Sequence, residues 1–389
     1  MKSLIKQKFT VSYQYDIHFT SGLFAPENPL LRDFFAARLE GAAPKLLVVV
    51  DGGVVTHHPA LIERIQDYFD SREAVELVPD ILVVPGGEAI KNQPEHVDRV
   101  IEAVDRYRID RHSYIMAIGG GAVLDAVGYA ATVSHRGIRH LRVPTTVLSQ
   151  NDSGMGVKNG INYRGKKNFI GTFSPPVAVF NDNLFLLTLD DRAWLSGISE
   201  AVKVALIKDA AFFEWIEKHA ARLRHRDSEA MDYLIFRCAE LHLQHIAGAD
   251  PFEFGSSRPL DFGHWSAHKL EQLSGFEVLH GEAVAIGIAL DTVYSALTGM
   301  LSPTDAQRVV VVLQELGLPI FHPLLQKNDT THPLLAGLEE FREHLGGRLT
   351  IMLLAAIGRG MEVHALDTAV VLRAAAALQE SVNLVNGEV

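Results

Sequence analysis

The chain has 389 residues, enough for about two domains at roughly 150 residues each. It is 48% hydrophobic and 21% charged, which excludes a disordered or fibrous chain. The net charge of −11, from 36 basic and 47 acidic residues, argues against bulk binding to nucleic acid or to an anionic membrane, so an anionic substrate would need a local basic cluster. No apolar run approaches the roughly 18 residues of a membrane helix. The first residues lack the apolar core of a secretory signal, and the lone cysteine, Cys238, can form no internal disulfide. The expectation is a cytoplasmic protein in a reducing compartment.

In chain order, residues 45–51, 80–87, 113–121 and 141–146 read as strands: short β-branched runs, each followed by Gly, Asp or Pro. Helical patterns at 60–70 and 95–107 lie between them. Strands alternating with helices predict an α/β fold with a parallel, doubly wound sheet. From about Asp190 the pattern is mainly helical, with a capped helix start at 301–307 and one late strand at 349–354. The Pro-containing stretch 173–191 is the expected boundary. It divides an α/β domain (1–180) from a mainly helical domain (181–389).

Three glycine turns end strands in the first half. Gly119-Gly120-Gly121 opens a helix, where bare backbone N–H groups and the helix N-terminus suit a pyrophosphate. Asp51-Gly52-Gly53 adds an acid able to bind a ribose hydroxyl, and Pro85-Gly86-Gly87-Glu88 is followed by Lys91. In the second half, His264 and His268 are four apart and share a helix face, with His280 close behind. Two imidazoles with a carboxylate suit zinc or a similar ion, and Glu200, one turn from Lys203 on an apolar helix, is the candidate carboxylate. A buried Glu and Lys are costly unless they serve chemistry. Arg136, Asn151-Asp152, Lys158 and Lys166-Lys167-Asn168 form a polar, loop-like stretch that supplies the local basic cluster.

Residues 119–171, GGGAVLDAVGYAATVSHRGIRHLRVPTTVLSQNDSGMGVKNGINYRGKKNFIG, resemble the core of the 3-dehydroquinate synthases and the wider sugar phosphate cyclases. The resemblance extends through GISEAVK, LDFGHWSAH and LHGEAVAIG and covers residues 45–290. It implies a nucleotide-binding α/β domain, a helical domain and an active site in the cleft. Glu200, His264 and His280 match the metal ligands, for zinc or cobalt. Asp51, Glu88, Lys91, Gly120, Gly121, Asp125, Thr145, Thr146, Lys167 and Thr188 fall at NAD-binding positions. Asp152, Lys158, Asn168, Lys203, Glu253 and His268 match positions that face the substrate, and Asp261 is a further candidate there that departs from the family residue. Arg136 matches an arginine that reaches the substrate phosphate of a neighbouring subunit, which implies a homodimer.

The chemistry so implied uses NAD as a transient oxidant. Oxidising one hydroxyl acidifies the neighbouring C–H, phosphate leaves, the ketone is reduced again, the ring opens, and an intramolecular aldol closes a carbocycle. The ion acts as a Lewis acid, Lys203 steadies the oxyanion, and Lys158, Asn168, His268 and Arg136 hold the phosphate.

The departures concern the carboxylate of the dehydroquinate precursor. Leu243 stands where dehydroquinate synthases carry a lysine, Ser257 where they carry an arginine, with Arg258-Pro259 one place on, and Asp261 where they carry an asparagine. Arg342-Glu343-His344 replaces an Asp-Lys-Lys. These features resemble the cyclases of sedoheptulose 7-phosphate, which make epi-valiolone or related cyclitols. True dehydroquinate synthesis stays open as the alternative. A glycerol- or iron-type alcohol dehydrogenase fits less well, having no use for the phosphate cluster.

Overall fold

The computed structural model describes residues 4–70, 74–248, 250–252, 259–326, 333–344 and 348–386. The chain divides into two compact units, residues 1–144 with 157–182 and residues 145–156 with 183–389. The sequence predicts one cut near 180; the structure differs in giving 145–156 to the second unit. The cause is local. This segment holds a π-helical turn, Ser149–Ser153, whose Asn151 Nδ2 donates to the Gly197 carbonyl at 2.7 Å.

The first unit is built on a parallel sheet. Its order is β1 (Asp16–Thr20), β9 (Ala178–Asp182), β6 (Arg139–Pro144), β5 (Tyr114–Gly119), β2 (Lys45–Asp51), β3 (Glu76–Leu77), with β4 (Leu82–Val84) also pairing β2. Leu47 and Val49 of β2 and Ile115 and Ala117 of β5 pack on one face against the helices Pro94–Arg106 and Gly121–Val133. Tyr114 points the other way, its ring edge-on to Phe34 and Phe35 of the helix Leu30–Ala36. Helices on both faces explain why these strands read as unbroken apolar runs and not as alternating ones. The polar stretch predicted as loop-like is instead an antiparallel hairpin, β7 (Lys158–Tyr163) and β8 (Lys166–Phe173). Arg164 and Gly165 both take positive φ, 49° and 78°, at its two-residue turn, the backbone that matches strand twist.

The second unit is mainly helical around one core, with a small hairpin of β10 (Ile351–Ala356) and β11 (Arg359–Val363). Ser302 Oγ caps the helix Pro303–Glu315 by accepting from Asp305 N at 3.0 Å. The helix Ile198–Lys208 is buried at every position from Ile198 to Ile207, its two charges Glu200 and Lys203 included. No described helix is long and apolar enough to cross a membrane.

Candidate active site

In the second unit, Glu200 and Lys203 lie one turn apart on the buried helix and form an ion pair through Glu200 Oε2. Glu200 Oε1 lies 3.6 Å from Nε2 of His264 and 3.6 Å from Nε2 of His280. These separations are too long for hydrogen bonds, and Oε1 is a buried acceptor with none. One carboxylate oxygen and two imidazole nitrogens, all within 4.8 Å of one another, form a donor set that fits a divalent ion and leaves positions open. The far nitrogens have acceptors of their own. His264 Nδ1 lies 3.1 Å from the Phe262 carbonyl and His280 Nδ1 lies 3.1 Å from Glu271 Oε2.

Electrostatics favour the ligand forms of Glu200 and His264, whereas His280 would release a proton on binding an ion. Burial alone would raise the Glu200 carboxyl, but the Lys203 ammonium and the two imidazoles hold it well below the usual range. Burial, then Lys203, push His264 well down, so its imidazole is neutral. Burial also opposes charge on His280, yet Glu200 and Glu271 bring it up to about 9. Burial works against the Lys203 ammonium as well, but Glu200, Asp152 and Asp261 raise it above the usual lysine value. The charges of Asp152 and Asp261 thus act on the same ammonium. His268 stands beside the set, its ring centroid 5.4 Å from that of His264 and 6.1 Å from that of His280.

Two glycines make this convergence feasible. Gly263, just before His264, has φ of 77°, in the left-handed region that favours glycine. Its carbonyl sits against Gly287, where any Cβ would stand 2.0 Å away. The helices His264–Leu273 and His280–Leu297 therefore cross closely enough to bring His264 and His280 together.

In the first unit, the sheet order reverses between β2 and β5, so their C-terminal ends form the topological switch point at which such sheets bind ligands. Asp51 ends β2 and Gly119 ends β5, and a Cβ on Gly119 would stand 3.1 Å from Asp51 Cβ. Gly52-Gly53, Gly86 and Gly120-Gly121 surround this point. Asp51 Oδ1 accepts from Gly53 N at 2.8 Å; burial raises its carboxyl, and the N–H groups of Gly53, Val54 and Gly120 oppose that. Nearby, buried Lys91 pairs with Asp125 at 2.8 Å and bonds Asn168. Glu88 accepts from Asn162 at 2.8 Å and faces Lys167 at 3.6 Å. The hairpin thus brings Glu88, Lys91, Asp125, Lys167 and Asn168 into one network.

Lys158 begins β7 with an exposed side chain, its carbonyl held by Arg142 Nη2 at 3.0 Å. Arg136 is exposed, with φ of 63°. Thr145 is buried, Thr146 Oγ1 bonds Ser149 Oγ at 2.8 Å, and Thr188 Oγ1 donates to the Phe185 carbonyl at 3.2 Å. Glu253, Ser257 and Arg258 lie outside the described residues. The sequence reading missed three groups in the second unit. His242 Nδ1 lies 3.3 Å from Asp152 Oδ1. Glu271 backs His280, and Asp291 accepts from Gly263 N at 3.0 Å and Trp265 Nε1 at 2.9 Å. The available signal for Glu271 was its place seven residues after His264, two turns along one helix face. Asp291 was visible as an acid set in the apolar run that follows Glu282 on its helix.

The sequence matches the family description "3-dehydroquinate synthase N-terminal" over residues 81–196 and "3-dehydroquinate synthase C-terminal" over 197–336. It is 40% identical to the 3-dehydroquinate synthase of a Nitratiruptor species over 258 residues, 66% of this chain and 72% of that protein. It is 34% identical to the 2-epi-5-epi-valiolone synthase of Streptomyces glaucescens over 368 residues, 93% of this chain and 90% of that one. Among solved structures, the 2-epi-5-epi-valiolone synthase ValA of Streptomyces hygroscopicus subsp. jinggangensis 5008, with NAD+ and Zn2+ bound, aligns with a TM-score of 0.86 at 30% identity. That alignment covers 97% of this chain and all of the other. With these matches spanning both units, the chain belongs to the 3-dehydroquinate synthase-like sugar phosphate cyclases, a superfamily of phosphate-eliminating lyases.

Proposed function

We propose that this enzyme converts sedoheptulose 7-phosphate, or a similar sugar phosphate without a carboxylate, into a carbocycle by releasing inorganic phosphate and closing the ring through an intramolecular aldol. The observation that carries this reading is Asp261, whose charge acts on Lys203 beside Glu200. An acid there accepts hydrogen bonds from neutral hydroxyls and repels a carboxylate. Leu243, half-buried one residue beyond His242, offers a carboxylate no cation.

Glu200, His264 and His280 would hold the divalent ion, zinc or cobalt. Asp51, Glu88, Lys91, Gly120, Gly121, Asp125, Thr145, Thr146, Lys167 and Thr188 would bind NAD. When bound, NAD supplies a hydride acceptor restored within the same turnover, and the ion supplies Lewis acidity toward substrate hydroxyls. Lys203 steadies the developing alkoxide. Lys158, Asn168, His268 and, from the second copy in a homodimer, Arg136 are assigned to the phosphate, and Asp152, Glu253 and Asp261 to the hydroxyls. The names of the Streptomyces relatives, and the NAD+ and Zn2+ in ValA, support the assignment. A second reading, dehydroquinate synthesis, is favoured by the identity to the Nitratiruptor protein.

The test is phosphate release from the metal-loaded enzyme with NAD, offered sedoheptulose 7-phosphate or the carboxylated seven-carbon precursor of dehydroquinate. Release from the first without NADH build-up supports the proposal. Release from the second alone assigns the enzyme to dehydroquinate synthesis, and NADH build-up would mark it as a dehydrogenase.

A further inference from the structure

We infer that Glu271 is a positioning residue of the metal site: its carboxylate accepts the Nδ1–H of His280 and so turns Nε2 of that ring toward Glu200. This rests on the reading of Glu200, His264 and His280 as ligands and adds the group that holds one of them. Glu271 is 3% exposed, and its Oε2 lies 3.1 Å from His280 Nδ1, while Nε2 of the same ring faces Glu200 Oε1 at 3.6 Å. The two ring nitrogens thus have different tasks, set by different neighbours. A carboxylate behind a ligand imidazole fixes its tautomer and its rotation and makes it a better donor.

The two histidines are held differently. His264 is buried, and its Nδ1 faces the backbone carbonyl of Phe262, which no substitution removes. The His280 side chain is 25% exposed at the first position of its helix, so neighbouring atoms confine its ring less. Its orientation therefore depends on a side chain, and that side chain comes from the helix that also carries His264. One helix supplies a ligand at its first residue and, two turns on, the acceptor that orients the second ligand. Glu271 also belongs to a group with His268 and His280 whose donor atoms lie within 4.8 Å, so direct ligation by its carboxylate is the competing role. Positioning is favoured because the buried acceptor without a hydrogen bond, Glu200 Oε1, lies on the Nε2 side, whereas His268 in the competing group is exposed.

The experiment uses full-length protein stripped of metal with a chelator and titrated with Co2+, following its visible absorption against a competing chelator. Glu271→Met keeps side-chain volume and helix propensity but accepts no hydrogen bond; Glu271→Gln keeps an acceptor. Wild type is expected to bind one Co2+ per chain, E271M 10- to 100-fold more weakly, and E271Q much closer to wild type, with melting temperatures of the metal-free proteins alike. E271M binding as tightly as wild type overturns the inference. E271Q as weak as E271M also overturns it, in favour of direct ligation. If E271M does not fold, 15N-histidine spectra of the Zn2+-loaded wild type decide: a metal-bound Nε2 with a protonated Nδ1 on His280 supports the inference, and a metal-bound Nδ1 overturns it. A wild type whose Co2+ binding is unaffected by His264→Ala would instead overturn the ligand assignment itself.

Discussion

Gly287 sits so close to Gly263 that a Cβ on it would stand 2.0 Å from the Gly263 carbonyl oxygen. Backbone cannot give way there as the end of a flexible side chain can. Gly287→Ala should therefore push the two helices apart, at a cost of about 1–3 kcal/mol. His264 follows Gly263 directly, so the same shift should weaken metal binding. Melting of the metal-free protein and Co2+ titration should both move. A variant that loses stability yet binds Co2+ as wild type does would show that the crossing does not set the ligand geometry.

The metal set gives the second prediction. His264→Ala should lose metal and turnover together, because a buried carboxylate and one remaining imidazole are too few donors for the ion. Glu200→Gln should do the same, and it also leaves the Lys203 ammonium buried without its carboxylate. Metal analysis of each purified variant beside phosphate-release assays is the check. Full occupancy in either one refutes its role as a ligand.

These candidate residues were legible in the sequence for a physical reason. Charges such as Glu200 and Lys203 stand out in an apolar helix, glycines stand out at strand ends, and histidine spacing survives without coordinates. The strands at 45–51 and 114–119 were legible because burial on both faces makes them continuous apolar runs. The hairpin at 158–173 was not, because its residues are largely polar or exposed and its strands carry no strong period. The strand Asp16–Thr20 at the sheet edge was missed for a similar reason, being only half-buried. Glu271 and Asp291 escaped because local spacing marks only their place on a helix, whereas their importance lies in contacts made across helices, at His280 and at Gly263.

Asp291 gives a prediction about pH. Burial brings its carboxyl up to about 7, against hydrogen bonds from Trp265 and Gly263 that favour the charged form. Its value in the unfolded chain is near 4, so the folded state holds the proton more tightly. That stabilisation is full below about pH 4 and is lost as pH rises through about 7. Between those limits, wild type should lose stability relative to Asp291→Asn with rising pH, by at most about 1.4 kcal/mol per unit. Urea unfolding of the metal-free proteins across this range measures the difference. A constant difference would mean that Asp291 keeps one charge state throughout.

The cofactor reading predicts a recycled nucleotide. Stripping NAD should abolish phosphate release, and substoichiometric NAD should restore it without net NADH. Asp125→Ala should weaken NAD binding, since it removes the partner of the buried Lys91 ammonium in the network with Asn168. Isothermal titration with NAD reads this directly. Equal turnover in a preparation free of nucleotide would rule out the transient-oxidation mechanism.

Substrate choice follows from the charges around Lys203. Glu200, Asp152 and Asp261 all act on that one ammonium, so a substrate carboxylate brought beside it would meet three acids. Unpaired charge of this kind costs several kcal/mol when water is excluded, which is a discrimination of a hundredfold or more. Asp261→Asn removes one acid and restores the amide that dehydroquinate synthases carry there. Wild type should therefore favour sedoheptulose 7-phosphate over the carboxylated substrate, and Asp261→Asn should narrow that preference by roughly tenfold, the equivalent of about 1.4 kcal/mol. Competition between the two substrates, read as the ratio of kcat/KM values, measures both effects. A wild-type preference for the carboxylated substrate would mean that another cation, with Arg258 the nearest in sequence, replaces the missing pair.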